Sequence, residues 1–284
     1  MPFNMQLISN HGSTNPIVAR LTLQTFELLK WIEISDAQQN RLTGLMHQTH
    51  LRLLRCYDHA YRIKLAERDQ LEHWQASGPI NPKKLPYVID LEADVEGFLM
   101  TATQYLRDLV PVFNTLWGAS LKPEARRFWR MRSQSSEAEK WSIKTLGPDH
   151  PLVPFLQANE PWIAELIKRR NAVEHREDGR DRLVIDNFRA LGPTIAPPAW
   201  GRETQARKAV MSPIVAGMEE LLSLLLSFGE ELFVIAVMAR PRWKHVVVRE
   251  IPEEMRNPNC PIRFITTLDE EMAKHLTEAA SRTN

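Results

Sequence analysis

The sequence predicts a mostly α-helical protein: an up-and-down helical bundle with an N-terminal helical extension and a small C-terminal β-hairpin plus helix. Long stretches carry apolar residues at intervals of three and four, which is the period of an amphipathic helix. Prolines and glycines interrupt these stretches and mark the loops between them. Two runs rich in β-branched residues occur close to the C-terminus. We therefore expect an extension over residues 1–85, a bundle over 86–240 and a tail over 241–284.

Composition and charge limit the class of protein. Of the 284 residues, 43% are hydrophobic and 25% are charged, which is ordinary for a soluble globular protein. The formal net charge is +1, so a surface for nucleic acid would have to be a local one. Cys56 and Cys260 lie far apart without metal-ligand spacing, which favours a reduced, cytoplasmic protein without disulfides. The N-terminus lacks a basic segment followed by an apolar core, so we expect no secretory signal.

Two helices are predicted in the N-terminal part. Asn15 followed by Pro16 is a typical helix start, and the apolar stripe after it continues to about Ile34. Ser35 and Gln38 have the spacing of a capping box and begin a second, long helix. This helix carries a heptad-like seam, which we expect to pack against a neighbouring helix or a second subunit. The seam consists of Leu42, Met46, Thr49, Leu53, Cys56, Ala60, Ile63, Glu67, Leu71 and Trp74.

Asp90 is predicted to cap a third helix, whose strong apolar stripe continues to Trp117. Pro111 is expected to kink this helix or to separate its last turns. Beyond it, residues 122–132 read KPEARRFWRMR, in which five basic residues alternate with two aromatic ones. Ser136 is expected to cap a short helix that follows.

The next predicted helix has Asn159 as N-cap and Pro161 just inside, and Gly179 lies just past its end. An insertion of loop with a small hairpin is expected over residues 180–200. A helix over residues 214–238 is apolar on most sides and should be the central one.

The tail and the apolar helix before it complete the chain. Two adjacent carboxylates, Glu230 and Glu231, lie in the middle of the apolar helix and argue against a membrane span. The β-rich runs over residues 243–251 and 262–267 predict a hairpin, and a short helix is expected over residues 269–280.

Residues 162–179 carry Arg170, Asn171 and His175 near the end of an amphipathic helix. At about 100° per residue, Arg170 falls within the apolar arc of this helix. A guanidinium keeps its charge, so in that position it needs a partner, a groove or a second subunit. Asn171 and His175, four residues apart, share the flank of the same face. In the alternative interpretation Arg170 is structural and bridges to Glu174 or to a carboxylate of the third helix. Those carboxylates are Glu92, Asp94 and Glu96.

An arginine shortly before a histidine is not specific in this chain, because pairs five to seven residues apart also occur at Arg41/His47, Arg52/His59, Arg68/His73 and Arg240/His245. The nearest rival is Arg68 with His73, which lies beside the seam in a charge-rich stretch typical of a solvated face. Asn171 and the apolar arc distinguish the Arg170 segment from these pairs.

Residues 90–239 resemble the HEPN superfamily of small helical bundles. Members carry an arginine, a polar residue that is often asparagine, and a histidine late in one helix, which match Arg170, Asn171 and His175. The resemblance implies a metal-independent endoribonuclease, often a defence or toxin component, that acts as a dimer with its two motifs facing one another. Other members are inactive interaction or scaffold domains, and in that alternative the seam of the second helix would bind the partner.

RNA cleavage by attack of the 2′-hydroxyl gives each residue of the motif a role. His175 can transfer protons near neutral pH, and Arg170 can hold the phosphate and stabilise its developing charge. Asn171 would orient the phosphate, the imidazole or the opposing subunit. One imidazole cannot be acid and base at once, which favours a second copy at a two-fold interface. No metal or cofactor is expected, since the sequence has no Walker-type loop, no GxGxxG and no His/Cys cluster.

Contacts with RNA are expected from basic residues around the motif and in the KPEARRFWRMR stretch, where Trp129 or Phe128 could stack on a base. In the alternative interpretation this stretch is a solvated loop whose aromatic residues pack on the bundle. The partners we expect are RNA, a second copy of the chain and a regulatory or antitoxin protein, but no membrane. The basic residues proposed for RNA are Lys168, Arg169, Arg176, Arg127 and Arg130.

Overall fold

The computed structural model describes residues 9–76, 85–130, 135–174, 181–192, 194–272 and 274. This part of the chain is mostly helical, with small antiparallel sheets toward its C-terminal end, as the sequence predicts. A π-helical segment, Ala19–Gln24, joins the first two helices, and short 3-10 turns occur at Ala125–Phe128 and Glu253–Met255. The helices are α1 (Pro16–Val18), α2 (Thr25–Leu29), α3 (Asp36–Ala76), α4 (Leu91–Trp117), α5 (Glu137–Leu146), α6 (Leu152–Glu174) and α7 (Ile214–Ala239).

The strands form three antiparallel arrangements. They are β1 (Asp181–Asp186), β2 (Arg189–Leu191), β3 (Thr194–Ala196), β4 (Ala199–Thr204), β5 (Ser212–Pro213), β6 (Val246–Glu250) and β7 (Phe264–Leu268). The insertion before α7 is a three-stranded sheet of order β1-β4-β5 with the β2–β3 hairpin between β1 and β4, so it contains more sheet than we expected. The predicted C-terminal hairpin is confirmed by the pairing of β6 with β7. The predicted helix over residues 269–280 lies mostly outside the described residues.

The predicted helix starts at Asn15 and Ser35 are confirmed by their hydrogen bonds. Asn15 Oδ1 accepts a hydrogen bond of 2.9 Å from the main-chain N–H of Ile17. The N–H of Gln38 donates to Ser35 Oγ at 3.3 Å, while the N–H of Ser35 donates to Gln38 Oε1 at 3.1 Å. Ser136 begins α5 with the same reciprocal arrangement. Local sequence therefore determines these helix ends.

Asp90 and Asn159 do not act as the caps we predicted. Asp90 precedes α4 in the left-handed region, at φ 57°, and its side chain makes no capping hydrogen bond. An N-cap side chain reaches the first free amides from an extended backbone, which this residue does not have. Asn159 lies within α6, where its amide donates to the carbonyl of Phe155 at 2.9 Å.

Two prolines lie inside helices that continue past them. α6 extends through Pro161 as one helix and begins at Leu152, and α4 extends through Pro111 to Trp117. Each proline costs one main-chain hydrogen bond. Burial of apolar side chains on both sides of each proline offsets that loss, so the expected separation of turns at Pro111 and the expected helix start at Asn159 were wrong. The kink expected at Pro111 stays a prediction.

The heptad-like seam of α3 packs against α4 within the same chain. Its positions from Leu42 to Ile63 are buried, whereas Leu71 and Trp74 are partly exposed. α3 and α4 make the most extensive helix–helix contact of the described chain. The seam is therefore covered, and the idea that it binds a separate partner is wrong for its buried length.

The apolar core continues through all three predicted parts of the chain. It includes Ile32 from the N-terminal part, Phe113 and Phe233 from the bundle, and Val246 from the tail. α7 contacts α2, α3, α4 and α6, in line with the prediction that it is central. By length and composition, α7 is the one helix of the described chain that could cross a membrane, and more than half of its most apolar window is buried inside the protein.

Glu230 lies in the middle of apolar α7 and is fully buried. Arg20 of the π-helical segment donates to it with two nitrogens, of which Nε lies 2.8 Å from Oε2. Gln24 Nε2 donates to the same oxygen at 2.9 Å, and Arg263 Nη1 donates to Oε1 at 3.0 Å. A buried carboxylate requires such partners, so this cluster fixes the N-terminal segment and the C-terminal hairpin to α7.

Arg263 connects the same cluster to the edge of the hairpin. Its guanidinium also binds Glu231 at 2.7 Å and Glu250 at 2.8 Å. Burial lowers the pKa of Arg263, but the hydrogen bonds and charges of these glutamates outweigh it and hold that pKa above its ordinary value. Burial raises the pKa of the Glu231 carboxyl. Gln24 Oε1 accepts the main-chain N–H groups of Arg263 and Phe264, which fixes the start of β7.

We predict that Glu230→Gln lowers the free energy of unfolding by about 3–5 kcal/mol, because the guanidinium of Arg20 stays buried without its counter-charge. The matched control on the same helix is Glu219→Gln, which breaks an exposed pair with Lys64 and should cost less than about 1 kcal/mol. Urea denaturation measures both. Equal losses in the two variants would contradict the role of the buried cluster.

A second prediction concerns Gly229, beside the ring of Tyr105. A Cβ at this position would lie 2.1 Å from Tyr105 Oη. Tyr105 is fully buried, and its hydroxyl has no hydrogen-bond partner among the described residues. Gly229→Ala should therefore cost about 1–3 kcal/mol through overpacking.

Tyr105→Phe removes that hydroxyl and provides the control for Gly229. The phenylalanine variant should be close to wild type in stability, because a buried and unpaired hydroxyl contributes nothing favourable. In that background Gly229→Ala should be nearly neutral, since the nearest remaining atoms lie at 3.3 Å. A thermal-denaturation double-mutant cycle tests the coupling, and additive effects would refute it.

Candidate functional site

A groove of about 660 Å³ lies between α4, the 3-10 turn Ala125–Phe128 and the C-terminal half of α6. It brings together the two stretches that the sequence analysis selected separately, the Arg170 segment and the KPEARRFWRMR stretch. The polar and aromatic residues that matter for its chemistry are Gln104, Arg107, Arg126, Trp129, Arg170 and Asn171.

Arg170 reaches the groove because α6 buries the turns before it. Ile163, Leu166 and Ile167 of α6 are buried in the core, and Arg170 comes next at the border of that face. Its side chain is 27% exposed, so the arginine that periodicity placed in the apolar arc lies at the wall of the groove. Its Nε is buried and has no hydrogen-bond partner in the part of the chain that the structure describes.

The ion-pair partner of Arg170 is Glu174, one turn later on α6. Nη1 of Arg170 binds the Glu174 carboxylate and donates to Asn171 Oδ1 at 3.2 Å. The third-helix carboxylates that we considered are not its partners. Asp94, for example, binds His59 at 2.9 Å and Arg62 instead. Arg170 and Asn171 therefore act as one polar unit, and Glu174 neutralises it.

Arg169 lies on another side of α6 from its neighbour Arg170. Its guanidinium lies over the ring of Trp200, 4.6 Å from the centroid, and its Nε donates to Glu165 at 3.2 Å. It thus anchors α6 to β4, and neither it nor Lys168 lines the groove. The predicted RNA contacts of these two residues gain no support from their positions.

His175 and Arg176 lie outside the described residues, which end at Glu174 on this helix. The proton-transfer role of His175 and the RNA contact of Arg176 therefore stay predictions. What the structure describes of the motif is the arginine, the asparagine and the glutamate that follows them.

The basic stretch is held on α5 by arginines that we had assigned to RNA. Arg127 is buried and forms ion pairs with Glu124, at 2.5 Å, and with Glu137. Arg130 binds Glu139, itself buried, at 3.0 Å. Both guanidinium groups are engaged within the chain, so their positions give no support to the RNA contacts predicted for them, which stay predictions.

The aromatic residues of this stretch differ from one another. Phe128 is buried and packs edge-to-face on Phe113 and Phe228, as the alternative interpretation expected. Trp129 is only partly buried and lines the groove. Of the two candidates for base stacking, only Trp129 has a suitable position.

The side chains that line the groove carry a small net positive charge, because three arginines and two glutamates are among them. Arg126 is exposed and binds Glu124 at 2.6 Å, and this hydrogen bond holds the pKa of the Glu124 carboxyl below its ordinary value. Arg107 binds Asp108 at 3.1 Å just outside the groove. The exposed guanidinium groups can approach an anion, but each has a carboxylate beside it.

The sequence analysis overlooked Arg107, Gln104 and Arg126. A usable signal existed for the first two, because Gln104 and Arg107 are three residues apart and form a polar flank on an otherwise apolar helix. Arg126 could not be separated from its neighbours by sequence, since only the 3-10 turn decides which arginine faces inward.

Three histidines of the described chain contact carboxylates away from the groove. His11 lies 2.7 Å from Asp58, and His245 lies 2.9 Å from Asp269, in addition to the His59 pair with Asp94. Among the described residues no group of three or more His, Cys, Asp or Glu side chains could hold a metal ion.

We predict that Arg127→Ala lowers stability by about 1–3 kcal/mol, because it removes a buried side chain that joins the 3-10 turn to α5. The neighbouring exposed residue supplies the control, and Arg126→Ala should leave the unfolding midpoint unchanged. Guanidinium denaturation distinguishes the two. A stable Arg127→Ala protein would show that the buried pairs do not hold this turn.

Comparison with known protein families, curated proteins and solved structures gives no significant match over any part of the chain. The likeness to HEPN proteins thus depends on the residues quoted above. What the chain does must be argued from the groove and its side chains.

Proposed function

We propose that this protein is a HEPN-like, metal-independent endoribonuclease whose site is the groove at Arg170. The observation that carries the proposal is the meeting of Arg170 and Asn171 with Arg126 and Trp129 in one groove. Guanidinium groups suit phosphates, and an aromatic side chain at the groove wall suits an unpaired base. The two selected stretches lie more than thirty positions apart in sequence, so their convergence is independent of the motif itself.

In this reaction a ribose 2′-hydroxyl loses its proton and attacks the adjacent phosphorus. The bond to the 5′-oxygen breaks, that oxygen takes up a proton, and a 2′,3′-cyclic phosphate remains. Arg170 stabilises the negative charge of the pentacovalent phosphorane, and Asn171 holds the guanidinium or the phosphate in place. His175 moves one of the two protons, and a second copy of the chain supplies the other histidine.

As such a nuclease, the protein would need a means of controlling its cleavage activity. A dimer with two facing motifs would act in the cytoplasm as a defence or toxin component. A regulatory or antitoxin protein would then hold the activity in check. These assignments depend on the HEPN resemblance and on the groove together.

A second candidate function is a catalytically silent HEPN-like interaction module. The observation that favours it is the ion pair of Arg170 with Glu174, since a structural arginine would be satisfied in this way. In this alternative the groove, and not the covered length of the α3 seam, would bind a partner.

RNA cleavage in the presence of a chelator separates the two functions. Arg170→Ala and His175→Ala should each reduce the rate at least about 100-fold, because each removes a group that acts on the transition state. His73→Ala is the matched control, since His73 follows an arginine at the same spacing on the exposed C-terminal end of α3, and it should keep full activity.

Circular dichroism of each variant ensures that a loss of rate is not a loss of fold. Activity that survives His175→Ala, or that disappears when the chelator is added, would exclude the proposed mechanism. A wild-type protein without cleavage of any RNA would favour the silent module.

A further inference from the structure

The pair between Arg170 and Glu174 occupies only one end of the guanidinium. Glu174 and Asn171 both contact Nη1, and neither of them contacts Nε. Nε stays buried without a hydrogen-bond partner among the described residues. A phosphate prefers two parallel N–H groups of one guanidinium edge, so the present contact does not resemble the forked pair that a phosphodiester would make.

Glu174 also lines the groove, so its carboxylate shares the groove wall with the guanidinium of Arg170. Its side chain is 34% exposed and that of Arg170 is 27% exposed. Exposed pairs at this helical spacing are weak, so a phosphate can displace the carboxylate. A displaced Glu174 would still repel the ligand, because it remains one helical turn from the phosphate site.

We propose that Glu174 is a built-in competitor for the phosphodiester at Arg170 and lowers the affinity of the groove for single-stranded nucleic acid. The guanidinium turns its Nε edge toward the ligand only when the carboxylate has been displaced. This inference depends on the proposed function insofar as it assigns phosphodiester binding to the same groove. It concerns the regulation of binding and assumes nothing about His175.

The neighbouring pair on α6 offers a matched comparison. Glu165 is the partner of Arg169 at the same spacing of four, with a similar exposure of 41%, and it also pairs with Arg202 at 3.4 Å. Its arginine lies on Trp200 and does not line the groove. Removing the charge of Glu165 therefore changes the net charge of the protein by the same amount without releasing Arg170.

The test measures binding of a fluorescein-labelled single-stranded deoxyribo-oligonucleotide by anisotropy. This probe has no 2′-hydroxyl, so the proposed reaction cannot consume it. Glu174→Gln should bind it roughly two- to tenfold more tightly than wild type, and Glu165→Gln should bind as wild type does. The slope of log affinity against log salt should steepen by about 0.7 for Glu174→Gln, the value for one additional phosphate contact on a single strand.

A double variant, Arg170→Gln with Glu174→Gln, should lose the gain in probe affinity that Glu174→Gln gives. Its affinity should fall to that of wild type or below. Equal tightening in the Glu165 and Glu174 variants would overturn the inference, because it would reveal only an effect of net charge. Unchanged binding by Glu174→Gln, or no binding by any variant, would also overturn it.

Parallel cleavage assays with RNA keep this inference separate from the proposed function. Tighter binding by Glu174→Gln without cleavage by any variant would refute the ribonuclease and leave the competitor role supported. Cleavage that depends on Arg170 but not on Glu174, with unchanged probe binding, would support the ribonuclease and refute the competitor role of Glu174.

Discussion

The fold depends on one carboxylate that has no access to water. Glu230 lies on the apolar helix at the centre of the molecule, and a charge in that place is stable only if cations and hydrogen-bond donors surround it. Arg20 and Gln24 come from one end of the chain and Arg263 from the other. The two ends of the sequence are therefore joined to the bundle by the same charge. They share its core and its electrostatics, although the sequence presents them as additions.

The groove depends in turn on two further buried contacts. Arg127 and Arg130 hold the basic stretch on α5, and Phe128 fixes it against α4 and α7. The side chains that looked most like nucleic-acid contacts thus form the support of the groove wall. The burial of Arg127 and Phe128 and the pairing of Arg130 with Glu139 leave Arg126 and Trp129 to line the groove. The short 3-10 turn makes this division, since neighbouring side chains on it are about 120° apart.

Much of the secondary structure could be predicted because its causes are local. The caps at Asn15, Ser35 and Ser136 involve residues at most three positions apart, and the C-terminal hairpin follows from strand composition. The separation of turns expected at Pro111 and the helix start expected at Asn159 were wrong because packing at a distance outweighs one lost hydrogen bond. At the site, periodicity located Arg170 at a special position. Its partner and its groove depend on contacts between remote segments, which no sequence spacing encodes.

Arg169 and Arg170 face different sides of α6, and this separates two tasks on one helix. Adjacent residues of an α-helix are about 100° apart, so one arginine can anchor α6 on Trp200 while the next faces the groove. A substitution at Arg170 would leave that anchor in place. Such a scaffold can gain or lose its groove chemistry by a single codon change while the architecture stays intact. Variants at Arg170 would therefore share this fold and differ mainly in the lining of the groove.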